Sequence, residues 1–292
     1  MRLAWNRRMP ATVSFILPVR DAADTIEQAL DRVLRADLGD PDLRREIIVV
    51  DDASTDGTVT FLRHAAAVGT AHVCFHPEAL GQGAALSTGL ALASGDIVVV
   101  VDPSLAYDPS EAGKLLAPIV VGDADVVYGS RYVATTRQVP RFWDRLSDQI
   151  LTVVSNGLTN VALTDVTTSF QAFRADVVRG AILRAEGCGI AGELAALFTT
   201  RQCRVFEVPV TYRARKPIPA ATRWFESLSQ LTMMARARLR SWHLEPVSPH
   251  RPMRAPVLAT PRGARLTRLV HPIDMMPLAP TSAAPRPFLR PN

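Results

Sequence analysis

Short runs of β-branched residues alternate along the first half of the chain with stretches whose apolar positions recur every three or four residues. "TVSFILPV", from Thr12, has the length and branching of a buried strand, and in "DTIEQALDRVLRA" the residues Ile26, Leu30, Val33 and Leu34 fall on one helical face. The alternation continues as strand "EIIVVDD", helix "DGTVTFLRHAAA" with Asp56 as a cap, strand "AHVCF", helix "GAALSTGLALA", strand "DIVVVVD", helix "PSEAGKLLAPIV" and strand "ADVVYG". Strand followed by helix, four times over, predicts the α/β class with a doubly wound, mostly parallel sheet. Ligands of such sheets sit beyond the carboxyl ends of the strands. The loops "PVRDAAD", "DDASTDG", "HPEALGQG", "DPSLAYDP" and "GSRY" are therefore expected on one rim.

Further on, "FWDRLSDQILTVVSNGLTNVAL" is an amphipathic helix or helix pair, which either packs on the sheet or meets an amphiphilic acceptor. "TTSFQAFR", "CRVFEVPVTYRAR" and a C-terminal helical extension, "ATRWFESLSQLTMMARARLRSW", complete an ordered part spanning 1–242. Residues 243–292 hold eleven of the 22 prolines and seven arginines against Glu245 and Asp274, a composition that buries no core and predicts a disordered tail.

Composition narrows the class. A hydrophobic share of 48% supports a packed core, and Cys74, Cys188 and Cys203 are too few and scattered for a disulfide framework, reading instead as buried thiols of a cytoplasmic protein. No apolar run reaches the ~20 residues of a membrane span. The basic, apolar start lacks a small-residue cleavage site and is better explained by a first strand than by a signal peptide. The net charge of +5 is carried by arginine, since Lys114 and Lys216 are the only lysines. It fits either a phosphate-rich partner or a compositional bias, and the basic "RARLRSW" fits either a bilayer surface or a solvated helix face.

Several segments carry chemistry. Asp51 and Asp52 close a strand, where two carboxylates serve a phosphorylation pocket, recognise a nucleobase or ribose, or merely cap a turn. A phosphorylation pocket lacks its lysine, because none precedes Lys114. Gly81, Gly83 and Gly89 open a helix whose amides could meet a phosphate. A dinucleotide fingerprint would instead follow the first strand, and "LPVRDAAD" has no glycine. "VVVVDPSLAYDP" delivers one acid, Asp102, to a strand end.

Taken in order and spacing, "ILPVRDAADTIEQAL", "IIVVDDASTDGT", "LGQGAALSTGLALASGDIVVVVD", "YDP", "GSRY" and "DVTTSFQAFR" resemble the inverting glycosyltransferases of family 2, within them the dolichyl or polyprenyl phosphate sugar transferases. The resemblance runs from about Thr12 to Trp242 and implies a nucleotide-diphospho-sugar fold of GT-A type, with one catalytic domain over 1–242. It implies that Pro18, Val19, Asp51 and Asp52 hold the base and ribose of a nucleotide-diphosphate sugar, with Gly81 and Gly83 in the same site. Asp102 would bind a magnesium or manganese ion, and Arg131 would meet phosphate as the second catalytic residue. Asp165, Arg174, Glu193 and Arg213 would serve a lipid phosphate acceptor at the cytosolic membrane face, with peripheral contact through the amphipathic stretch, Trp224 and Trp242, and no nucleic acid. A phosphate acceptor is already anionic and needs no general base.

The chain departs from the family pattern. Ser104 stands where a second metal acid is common, Ala106 replaces a polar neighbour, Arg20 and Asp21 follow "PV", and Gln82 replaces a basic residue. A hydroxyl is a poorer ligand for a hard dication than a carboxylate. Two alternatives stay open: a family member using a soluble or glycan acceptor, and a silent homologue that binds a nucleotide or a partner.

Overall fold

Buried along nearly all its length, β1 (Thr12–Val19) lies inside a seven-stranded sheet whose order is β3-β2-β1-β4-β6-β5-β7. The computed structural model describes residues 11–133, 142–179, 181, 189–213 and 232. The other strands are β2 (Arg44–Asp51), β3 (His72–Phe75), β4 (Ile97–Val100), β5 (Val126–Ser130), β6 (Gln171–Arg174) and β7 (Val205–Pro209). All pairings are parallel except those of β6, which runs antiparallel to both β4 and β5.

Side chains alternate across β1 with period two. Val13, Phe15, Leu17 and Val19 enter one core, with Ile26, Leu30 and Val33 of α1 (Ile26–Arg35), Leu62 of α2 (Thr58–Ala67) and Leu115, Leu116 and Ile119 of α4 (Ala112–Val121). Ile16 enters the other, with Leu86 and Leu90 of α3 (Gln82–Leu92), Leu151 of α5 (Phe142–Thr159), Val177 of α6 (Ala175–Val178) and Leu194 and Phe198 of α7 (Gly189–Thr200). Helices on both faces make the sheet doubly wound, as the alternating pattern predicts. A 3-10 turn, Pro109–Glu111, starts α4 and is capped by Asp108, whose carboxylate accepts from the Ser110 amide.

Two features position the site. The carboxyl ends of β1 to β5 come to one rim, as Val19 pairs with Asp51, Asp51 with Phe75 and Ile16 with Val100. The reversal of β6 brings the preceding segment, 163–170, to that rim and sends Arg174 to the opposite edge, where it pairs with Ile97.

The amphipathic stretch is one helix, α5, ending at Thr159. Its inner side buries Leu151, Ser155 and Thr159, while Ile150, Val153, Val154 and Leu158 are 40%, 69%, 41% and 36% exposed. Cys74 and Cys203 are half-buried free thiols, and burial pushes the Cys203 thiol up to about 12. Cys188, most of the helical extension and the tail lie outside the described residues. Among the described residues no helix is long and apolar enough to cross a membrane.

Candidate active site

The loops after β1 and β2 are joined side by side. The Asp52 amide donates to the Val19 carbonyl at 2.8 Å, the Asp21 amide to Ser54 Oγ at 2.9 Å, and the Thr55 amide to Asp21 Oδ1 at 2.7 Å. The Ala22 amide donates to Thr58 Oγ1 at 2.9 Å and the Ala23 amide to Asp56 Oδ2 at 3.0 Å. These bonds hold Asp21 at φ 48° and Ala53 at φ 56°, left-handed conformations that cost an L-residue about 1–3 kcal/mol each unless the surroundings fix them.

Asp51 and Asp52 are both buried but differ in their partners. Asp52 accepts from the Leu80 and Gly81 amides and meets the His76 ring, each at 2.8 Å. Burial pushes its carboxyl up, but the ring and the two amides outweigh this and hold it below the usual carboxylate range. Gly81 turns its amide to Asp52 at φ 91°, which a side chain would strain, and α3 starts one residue later, with Gly83 buried in its first turn. Asp51 Oδ2 accepts from the Ser54 amide at 3.1 Å, while its buried Oδ1 has no hydrogen-bond partner among the described residues. Pro18 and Val19 end β1 beside this pair, opposite Val50 and Asp51.

Asp102 follows β4 on the other side of β1. Its Oδ1 accepts from the Ser104 amide at 2.8 Å and its Oδ2 from Ser169 Oγ at 3.4 Å. Ser104 Oγ in turn accepts from the Ala106 amide at 3.3 Å, in a turn that Leu105 completes at φ 61°. Asp108, whose carboxylate pairs with Arg32 at 3.2 Å, is engaged elsewhere. The donor set at this strand end is one carboxylate with the hydroxyls of Ser104 and Ser169. Among the described residues no group of three or more Asp, Glu, His or Cys could hold a metal ion. One carboxylate and two hydroxyls fit magnesium or manganese as hard oxygen ligands, provided that phosphates and waters complete the shell.

Arg131 is the hub of a part-buried ion-pair network. Nε and Nη2 grip Asp165 at 2.6 and 2.7 Å, and Nη2 also reaches Thr167 Oγ1 and, at 3.3 Å, Asp148. The guanidinium lies over the Tyr132 and Tyr212 rings at 5.2 and 5.1 Å. Arg131, expected to meet phosphate, is bonded to Asp165 in the structure. Asp165 is fully buried, and the Glu207 carboxylate fixes its loop by accepting from the Thr164 and Asp165 amides.

Arg174 is not brought to the rim. At the far edge it pairs with Asp176 at 2.6 Å and Asp125 at 3.6 Å. Glu193 is buried in α7, and Arg213 is exposed at the rim, where its amide donates to the Ala106 carbonyl at 2.8 Å.

The glycosyl transferase family 2 profile matches residues 14–180. The chain belongs to glycosyl transferase family 2. A dolichol-phosphate mannosyltransferase of Pyrococcus furiosus is 31% identical over 206 residues, covering 70% of this chain and 57% of that protein. An undecaprenyl-phosphate mannosyltransferase of Micrococcus luteus is 30% identical over 211 residues, covering 69% and 83%. A low-salt glycan biosynthesis hexosyltransferase of Haloferax volcanii is 25% identical, and the chain spans 48% of its length. The chain therefore spans about half the length of two of these relatives. Among solved structures, glucosyl-3-phosphoglycerate synthase of Mycobacterium tuberculosis with uridine diphosphate shares the fold at a TM-score of 0.62 and 24% identity, covering 78% of this chain and 80% of that one. The same synthase was also crystallised with uridine diphosphate and Mn2+ or Mg2+, with TM-scores of 0.60.

In this family 2 chain the GT-A rim contains several residues that the motifs did not single out. His76, Ser169, Asp148, Tyr212 and Glu207 bond or stack on predicted site residues, and Thr88 bonds the His76 ring. Only "CFHPE" carried a signal, a histidine at a strand end on the ligand rim.

Proposed function

We propose that this chain is an inverting glycosyltransferase that moves a hexose from a nucleotide-diphosphate sugar to a polyprenyl-phosphate-type acceptor at the cytosolic membrane face. One observation carries the reading: β2, β1 and β4 are adjacent, so Asp51, Val19 and Asp102 leave the sheet side by side. Two strand spacings make about 10 Å, roughly the reach from a nucleobase to its diphosphate. The relatives' names supply the acceptor class.

In this reading the unpartnered Asp51 Oδ1 accepts an N–H of the base, and Asp52 shapes the wall beside it. Asp102, flanked by Ser104 and Ser169, holds magnesium or manganese. Such an ion supplies Lewis-acid stabilisation to the departing diphosphate. An oxygen of the acceptor phosphate attacks the anomeric carbon from the face opposite the diphosphate. The new C–O bond forms as the old one breaks, its electron pair leaves on the nucleoside diphosphate, and the configuration inverts. Arg131 and Asp165 brace the wall near the acceptor, and Arg213 offers its charge at the rim. The exposed apolar residues of α5 support contact with a bilayer.

A labelled-sugar assay tests this with GDP-, UDP- and dTDP-hexoses, polyprenyl phosphate in detergent or a soluble acceptor, and magnesium, manganese or chelator. Label entering the lipid phase only with the ion is expected, and Asp102→Asn should lower kcat at least about a hundredfold. Transfer to the soluble acceptor alone would replace the lipid reading. A silent homologue is favoured by one observation, the commitment of the Ser104 hydroxyl to the Ala106 amide. Nucleotide binding without turnover under every condition would establish it.

A further inference from the structure

We infer that His76 is a positioning residue for donor binding, acting through Asp52; the inference rests on the reading that this rim takes a nucleotide-diphosphate sugar. Edge strand β3 ends at Phe75, and the next residue turns inward until the His76 ring is 2% exposed. Three contacts fix it. Its amide donates to the Asp51 carbonyl at 2.8 Å, Nδ1 lies 2.8 Å from Asp52 Oδ1, and Nε2 lies 3.0 Å from Thr88 Oγ1. With Nδ1 facing the carboxylate and Nε2 facing the Thr88 hydroxyl, every polar atom of the pair is used.

The elements that this ring joins are the walls of the nucleotide half of the rim. Asp52 fixes the Leu80 and Gly81 amides, and with them the point at which α3 begins, while Thr88 lies further along the same helix. His76 thus ties Asp52, beyond the end of β2, to Thr88 of α3, while Asp52 holds the residues that lead into the same helix. The remaining sequence between β3 and α3 is held to the strand ends mainly through Asp52. Without the ring, Asp52 Oδ1 keeps only the Leu80 amide, and α3 loses its side-chain tie at Thr88. The start of α3 would then shift relative to the unpartnered Asp51 Oδ1, and a ligand spanning both would bind less well.

Two amide isosteres separate positioning from packing. In His76→Asn the side-chain amide takes the place of Nδ1 and keeps Asp52 while losing Thr88. In His76→Gln it takes the place of Nε2 and keeps Thr88 while losing Asp52. Calorimetric titration with GDP, UDP and dTDP in the presence of manganese, together with the donor KM, is the readout. The Gln variant should raise Kd and donor KM about ten- to a hundredfold with kcat nearly unchanged, and the Asn variant about threefold. Thr88→Val removes only the hydroxyl and should match the Asn variant, which keeps the test open if the Gln variant does not fold.

Equal losses in the Asn and Gln variants would mean that the ring acts by filling space, and would overturn the inference. So would an unchanged donor KM in either the Gln or the Val variant. Wild-type protein that binds no nucleotide would defeat the donor reading itself and the inference with it. Wild-type binding matched by the Gln variant would defeat the inference alone.

Discussion

Ser104 stands where the family resemblance places a second acid, and its hydroxyl is committed to the turn that carries it, accepting from the Ala106 amide at 3.3 Å. An aspartate there could keep the same capping bond and add a charged oxygen, because Asp and Ser both accept from amides two residues on. Ser104→Asp should therefore fold and bind manganese at least about tenfold more tightly in the presence of nucleotide, as read by electron paramagnetic resonance. An unchanged affinity would mean that the side chain at 104 does not face the ion. Asp165→Asn makes the opposite kind of change, since it removes the buried bidentate partner of the part-buried Arg131 guanidinium. Breaking such a pair costs about 3–5 kcal/mol. Asp148 and Thr167 remain beside the guanidinium, so the lower end of that range is expected in urea unfolding. Arg174→Met, at the far edge, should also lower stability but leave the acceptor KM unchanged. A rise in KM would bring Arg174 back into consideration for the site.

The reversal of β6 decides which of the expected acceptor residues reach the rim. A four-residue strand, "QAFR", has no feature that sets its direction; pairing between β4 and β5 sets it. Hence Asp165 was legible at the site and Arg174 was not. The earlier elements were legible because their apolar residues follow periods of two and 3.6 without conflict, and α1 and α2 fall inside the stretches read as helical, each starting two residues later. The partners of Asp52 were not legible, because two backbone amides and a ring arrive from 24 to 29 residues away. Nor could spacing show how closely α3 approaches β1. At Gly89 an added Cβ would collide with the fully buried Ile16 side chain. Alanine favours a helix over glycine by about 1 kcal/mol. Overpacking a fixed core side chain costs about 1–3 kcal/mol. Gly89→Ala should thus destabilise the protein in chemical unfolding, and a gain in stability would show that α3 can move off the sheet.

Across the whole molecule, acids held below their ordinary range are spread over both edges of the sheet. Burial pushes Asp52, Asp108, Asp125 and Glu46 up, but hydrogen bonds outweigh it in each. The partners are His76 and two amides for Asp52, Ser110 for Asp108, Arg204 for Asp125 and Ser14 with Ser94 for Glu46. A carboxyl depressed by folding contributes stability that is fully present above its unfolded pKa, about 4, and is lost as pH falls through the folded value. Glu207 opposes them, because burial raises its carboxyl, and its contribution is present below the unfolded value and fades as pH rises. Asp56, held low by its bonds to the Thr58 and Ala23 amides, makes a fifth, and among the described residues five depressed acids against one raised acid set the sign. The melting temperature followed by circular dichroism should be level above about pH 5 and fall steeply below about pH 4. Because Glu46 and Asp125 lie at the edge away from the rim, the loss should be global, with the far-ultraviolet signal and the near-ultraviolet signal of the buried Tyr107 and Tyr128 moving together. Asp125→Asn should lower the plateau and make the acid fall shallower, since its share of the linkage is removed. A melting temperature that rose on acidification would mean that Glu207 and other raised acids dominate, and that the bonds at these five carboxylates are weaker than their geometry implies.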